Sequence, residues 1–113
     1  MKIMIYDITV TRVVDGDTVI CDIDLGFSIV LLKQRVRFLG VNTPELRGGD
    51  QKSKALAMEA KIYVEDLLVG KNCRLETQKA KEYDNFGRIL GVVHAGGINV
   101  SEALLKTNHA VPM

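Results

Sequence analysis

Hydrophobic and polar positions along this chain change period between three regions. From Ile5 to Val14 β-branched residues dominate, which predicts a strand, and Asp15-Gly16-Asp17 then breaks it as a tight turn. The extended pattern resumes at Thr18-Val19-Ile20-Cys21, and Asp24-Leu25-Gly26 marks a second turn. A third strand is predicted from Ile29 to Leu39. Its second half alternates Arg35 and Arg37 with Val36 and Phe38, so charged side chains share one face and apolar ones the other. Three strands joined by short turns predict an antiparallel meander.

The period then lengthens. Leu56, Ala60, Tyr63, Val64, Leu67 and Leu68 recur at three- and four-residue spacings, the apolar stripe of a helix. Ser53 is the expected N-cap and Gly70 the stop. Two further strands are expected at Asn72 to Thr77 and Arg88 to Val93. Gly96-Gly97 then turns the chain into a short helix, Val100 to Lys106. Three strands, a helix, two strands and a helix is the element order of a five-stranded OB-fold barrel, a β-barrel with helices in the α+β class. No repeat or linker interrupts it, so residues 1–113 are expected to form a single domain.

Composition narrows the partners. Hydrophobic residues make up 47% of the 113 and charged residues 26%, which is ordinary globular usage. Fifteen Lys and Arg against fourteen Asp and Glu give +1, so no bulk positive field advertises nucleic acid. The cations nevertheless gather at Lys33, Arg35 and Arg37, at Arg47, Lys52 and Lys54, and from Lys71 to Lys81, for which a solvated face is the ordinary account. Cys21 and Cys73 sit in apolar segments at no metal-binding spacing and read as buried thiols in a reducing compartment. No apolar run approaches the roughly 18 residues of a membrane helix. Asp7 interrupts the N-terminus before a signal-peptide core could form. A cytoplasmic protein with no membrane partner is expected.

Four stretches could carry chemistry, and each also has a plain structural explanation. Asp15-Gly16-Asp17-Thr18 is good turn chemistry, yet a hard cation also seeks aspartate oxygens. Arg37 on a strand can simply face solvent, or it can grip a phosphate as a planar, permanently charged fork. Thr43-Pro44-Glu45 is a helix-start signature, while Asn42 and Glu45 beside it offer an oxygen ligand and a general base. Asp84-Asn85-Phe86-Gly87 is a turn, and Arg88 opens the next strand. Taken together, two arginines, two acids and an amide are what phosphodiester hydrolysis with one hard cation requires. His94 and His109 lie apart, with no Cys or Ser partner, and read as structural or surface residues.

These blocks, with Asn99-Val100-Ser101-Glu102-Ala103-Leu104 after them, resemble the staphylococcal nuclease (thermonuclease) family from about Val10 to Ala110. The resemblance implies an OB-type barrel that cleaves DNA and RNA with Ca²⁺, other divalent cations being alternatives, and leaves 3′-phosphate ends. Position by position, it makes Asp17 a metal-ligating aspartate and Thr43 the donor of a backbone carbonyl to the same ion. Glu45 becomes the general base, and Arg37 and Arg88 the phosphate-binding arginines. Arg47, Lys52 and Phe86 become candidates for substrate contact, with single strands favoured. Asn42 stands where familiar members carry a second metal-binding aspartate. An amide oxygen brings no charge, so weaker metal binding is expected. The sequence ends at Val111-Pro112-Met113 without the family's third helix, so either a monomer or a homodimer through the barrel face left without it is expected. The alternative reading is a non-catalytic nucleic-acid or protein-binding module built on the same barrel.

Overall fold

The computed structural model describes residues 3–46, 49–78, 83–84 and 86–113. The expected meander is present as β1 (Ile3–Asp15), β2 (Thr18–Gly26) and β3 (Ile29–Phe38). After a two-residue β4 (Val41–Asn42) come α1 (Gln51–Leu68), β5 (Cys73–Gln78), β6 (Ile89–Ala95), β7 (Ile98–Asn99), α2 (Val100–Lys106) and β8 (Val111–Pro112). β1 is shared between two partners: its first half, from Ile3 to Ile8, pairs with β5 and its second half, from Ile8 to Asp15, with β2. β5 continues into β6. The ring closes where Val36, Arg37 and Phe38 of β3 run parallel to Ile89, Leu90 and Gly91 of β6. Five strands in the order β1-β2-β3-β6-β5 therefore make the OB-type barrel, and closure pairs edges that an open sheet would leave bare.

The period-2 pattern fills the barrel. β6 alternates without a break, with Ile89, Gly91, Val93 and Ala95 buried and the residues between them half-exposed. Val19, Cys21, Val36, Phe38, Leu75 and Val93 meet Val64 of α1 and Val100 and Leu104 of α2 in the core. The helix stripe is rotated from the expected one. α1 buries Ala57, Ala60, Val64 and Leu68, while Leu56 is exposed and Tyr63 and Leu67 are half-buried at the flank. Small residues win because the helix lies very close to the barrel. A Cβ on Gly16 would come 2.8 Å from Cβ of Ala60.

Local differences have local causes. Asp50, not Ser53, caps α1, its carboxylate accepting from the Ser53 N–H at 2.8 Å. Thr43-Pro44-Glu45 starts no helix; the Thr43 N–H is bonded to a side chain of the β1–β2 turn instead, and Gly49 is left-handed just before the true cap. β2 runs on past Cys21, and the second turn falls at Phe27-Ser28, both with positive φ, as a two-residue hairpin of type I′ requires. Gly70 does end α1, at φ +68. The short ladders β4–β8 and β6–β7 carry no period long enough to read.

Candidate active site

The site is built where the β1–β2 turn meets the end of β3. The pairing Thr18↔Arg37 sets the register, and the backbone N–H of Phe38 donates to the Asp17 carbonyl at 2.8 Å. Gly16 lets this turn pack against both α1 and Thr43, since a Cβ there would also meet the Thr43 side chain at 3.0 Å. Asp17 is thereby buried. Its Oδ1 accepts from the Thr18 hydroxyl at 3.0 Å, and its Oδ2 accepts from the Thr43 N–H at 3.1 Å. Arg37 Nη2 lies 3.5 Å from the same Oδ2, the two side chains being 7% and 9% exposed.

Arg37 is almost fully committed. Nη1 donates to the Phe38 carbonyl at 3.0 Å and the Val41 carbonyl at 2.8 Å, and Nη2 donates to Asn42 Oδ1 at 3.2 Å. The alternative of a solvent-facing strand arginine is thus corrected: β4 folds over it and Met113 sulfur lies 3.5 Å from Nη2. Burial pushes the Asp17 carboxyl up, but hydrogen bonds from Asp15 and Thr43 and the Arg37 charge outweigh it and hold the group below its ordinary value. Neighbouring Asp15 goes the other way. Burial first, then its hydrogen bond and charge contact with Asp17, push it up to about 6. Two carboxyls in one turn thus have opposite proton affinities.

Arg88 is held differently. Its Nε donates to Asp84 Oδ2 at 2.6 Å, while Asp84 Oδ1 accepts from the N–H groups of Phe86 and Arg88 at 2.9 and 2.8 Å. Burial opposes ionisation of Asp84, yet these donors and the Arg88 charge lower its pKa. The guanidinium carbon stands 5.5 Å from the centre of the Phe86 ring, which is 83% exposed. Nothing among the described residues takes a hydrogen bond from the two Nη groups of Arg88.

Arg88 and Glu45 line one open cleft of about 550 Å³, together with Arg12, Asp15, Arg35 and Lys61. Four cations against two carboxylates make this cleft positive although the chain as a whole is nearly neutral. The structure therefore brings Asp17, Arg37 and Thr43 into one buried cluster with the exposed Asn42 at its edge, and Glu45 and Arg88 into one cleft. Asp15 and Thr18 line the cleft and bond to Asp17, so they join the two. Lys52 does not join them; it is exposed in the first turn of α1 and is not a wall of the cleft. Arg47 lies outside the described residues. Sequence reasoning missed Asp84 as an anchor and Arg12, Arg35 and Lys61 as cleft walls. The four-residue spacing of Asp84 and Arg88 across a turn was a usable signal, whereas the walls come from three separate elements. His94 and His109 are occupied locally, the first 3.3 Å from Glu76 and the second stacked on Tyr63 at 4.5 Å.

The donor set suits a hard cation of modest charge demand. Asp17 Oδ2 and Asn42 Oδ1 both face one positive centre, Arg37 Nη2, so two oxygens already converge. Thr43 Oγ1 is buried beside them without a hydrogen-bond partner among the described residues. Among the described residues no three His, Cys, Asp or Glu side chains group together, so amide, hydroxyl and backbone oxygens would have to complete the shell.

Comparison with known proteins agrees with this geometry. The family described as staphylococcal nuclease homologue matches residues 35–112. A thermonuclease of Staphylococcus hyicus is 35% identical over 97 residues, covering 86% of this chain and 53% of the relative. The SPbeta prophage-derived endonuclease YokF of Bacillus subtilis is 29% identical over 102 residues, 90% of this chain and 32% of the relative. Endonuclease YncB of the same organism is 29% identical over 104 residues, 90% of this chain and 46% of the relative. The chain thus spans about half the length, or less, of the curated relatives it matches. No helix among the described residues is long and apolar enough to cross a membrane.

Proposed function

Because the chain belongs to the staphylococcal nuclease homologue family, we propose that it is a nuclease. It hydrolyses phosphodiester bonds of DNA or RNA with little sequence specificity, depends on Ca²⁺ and leaves 3′-phosphate ends. The observation that carries this reading is the shared cleft: a carboxylate, Glu45, and a guanidinium whose Nη groups meet no acceptor among the described residues, Arg88, face one positively lined space joined through Asp15 and Thr18 to the Asp17–Arg37–Asn42–Thr43 cluster.

Glu45 accepts a proton from the attacking water as its oxygen bonds to phosphorus; the bond to O5′ breaks and that oxygen takes up a proton from solvent. The Nη groups of Arg88 donate to the non-bridging oxygens, where negative charge grows in the transition state. Arg37 keeps Nη1 on its two carbonyls and exchanges the Nη2 bonds to Asp17 and Asn42 for a phosphate oxygen. Asp17, Asn42 and the Thr43 carbonyl would hold the cation, which when bound polarises the phosphoryl group and its water. The exposed Phe86 ring offers a base an apolar platform, which favours single strands.

Digestion of single-stranded DNA, duplex DNA and RNA with Ca²⁺, Mg²⁺, Mn²⁺ or EDTA tests the proposal, with Glu45→Gln alongside. The expected result is cation-dependent cleavage that falls about 10²- to 10⁴-fold in Glu45→Gln while nucleic-acid binding persists. A Glu45→Gln protein as fast as the parent removes Glu45 as the base. Binding without cleavage under every cation selects the second reading, a non-catalytic module, which the uncharged Asn42 favours.

A further inference from the structure

The most exposed apolar surface lies at the far end of the β2–β3 hairpin. Ile29, Val30, Leu31, Leu32 and Lys33 are exposed one after another. Side chains in a strand alternate between faces, so consecutive exposure means that this end stands clear of the barrel on both faces. Leu25 adds to it from β2, and Phe27 at the tip is 98% exposed. At about 200 Å² for a fully exposed side chain of this size, the six apolar residues present roughly 700 Å² to water. Counted over both faces and the tip, that is comparable with the roughly 800 Å² each partner gives to a standard interface.

The backbone is open at the same place. β3 pairs with β2 along one edge, but among the described residues its other edge is paired only from Val36 to Phe38. The segment Ile29–Leu32 is bounded by the Phe27-Ser28 turn and by Lys33, a positive-φ residue whose N–H is taken by Asp22 at 2.9 Å. It is a short apolar edge whose four residues include no charge or proline. The cations of β3, Lys33 and Arg35, lie at the barrel end of this segment, while Asp22 and Asp24 are on β2, Asp24 opposite Val30.

We infer that two copies of this chain associate through the hairpin, β3 of each pairing antiparallel with β3 of the other about a two-fold axis. Such an interface is self-complementary by symmetry. It extends two sheets into one, covers the open edge of each copy, and keeps the Lys33–Arg35 ends of the two strands apart. Parallel pairing would set like charge against like. Asp22 and Asp24 also argue against an anionic lipid surface as the occupant. The surface is separate from the cleft and from the barrel face that sequence reasoning offered for a homodimer, and it does not depend on the proposed nuclease activity.

Sedimentation of the 113-residue chain without nucleic acid tests it, from about 1 to 300 µM, a range that brackets a micromolar dissociation constant. The parent is expected to reach twice the monomer mass. Val30→Lys with Leu32→Lys, and separately Phe27→Asn, should raise the dissociation constant about 100-fold or more. Both changes are at exposed positions, and asparagine tolerates the left-handed backbone of residue 27. Amide exchange gives an independent reading: the Ile29–Leu32 amides should be protected at high concentration and lose protection on dilution. A parent that stays monomeric at the top concentration overturns the inference. So does a dimer that survives both variants, which places the contact elsewhere, or a monomer that co-sediments with phosphatidylcholine vesicles, which assigns the tip to lipid.

Discussion

Arg37 and Arg88 share one proposed task, gripping a phosphate, and are built in opposite ways. Arg37 is buried, with two backbone carbonyls, an amide oxygen and a carboxylate around its guanidinium. Arg88 is 28% exposed along its side chain and is anchored through Nε alone, by a carboxylate one turn away that also accepts from two N–H groups of the turn. The first is a strut of the fold that also faces the site. The second is a reaching group whose support is local. An arginine whose Nη groups are both engaged sets geometry and potential, whereas one whose Nη groups meet no acceptor among the described residues can respond to a ligand without disturbing the barrel.

This difference breaks most sharply on truncation. Arg37→Ala strips the buried Asp17 carboxylate of its cation and leaves the Val41 carbonyl and Asn42 Oδ1 without that donor. Removing one partner of a buried charge pair costs about 3–5 kcal/mol. The denaturant midpoint should therefore fall steeply, and cleavage with it. Arg88→Ala should keep stability within about 1 kcal/mol of the parent, because the pair is partly exposed and Asp84 keeps its two N–H donors. Its kcat should fall about 10²- to 10³-fold through loss of donors to the developing charge. Equal destabilisation by the two substitutions, read in parallel urea titrations, would dissolve the contrast.

The same contrast sorts what the sequence could show. Arg88 was legible through the block that carries the family resemblance, whereas its anchor Asp84 was missed although it lies only four residues away, where local spacing survives in one dimension. The five barrel strands and the two helices were legible through their periods and the glycines and turns that bound them, whereas the two-residue strands β4, β7 and β8 were not. The burial of Arg37 was not, because β4 and Met113, which cover it, meet it only after the barrel has closed. The failed helix start at Thr43-Pro44-Glu45 has the same origin. A good local cap lost to a long-range bond from the Thr43 N–H to Asp17, twenty-six residues away in sequence. The rotated stripe of α1 also reflects contact: Ala57 and Ala60 are preferred to Leu56 only because the helix must approach the turn that holds Asp17. Period identifies elements; close approach between elements decides which residues of a site are buried.

Asp84→Asn sharpens the comparison with the smallest effect, because it leaves both arginines in place. The amide oxygen can still accept from the Phe86 and Arg88 N–H groups, so the turn should persist. What goes is the charged bond from Nε, worth about 0.5–1 kcal/mol for a partly exposed pair. Arg88 should then sample more orientations, with a fall in kcat of about tenfold and little change in the denaturant midpoint. The pH dependence identifies the cause. The folded pKa of Asp84 lies below its unperturbed value of 3.8, so its ionised form contributes stability above that value and loses it as pH falls through the folded pKa. Parent and Asp84→Asn should therefore differ in stability near neutral pH and converge in acid, whereas Arg37→Lys, which keeps a permanent charge at its site, should show no such convergence tied to Asp84. A stability gap between parent and Asp84→Asn that stays constant into acid would mean that the hydrogen bonds of the turn, and not the charge facing Arg88, are what Asp84 supplies.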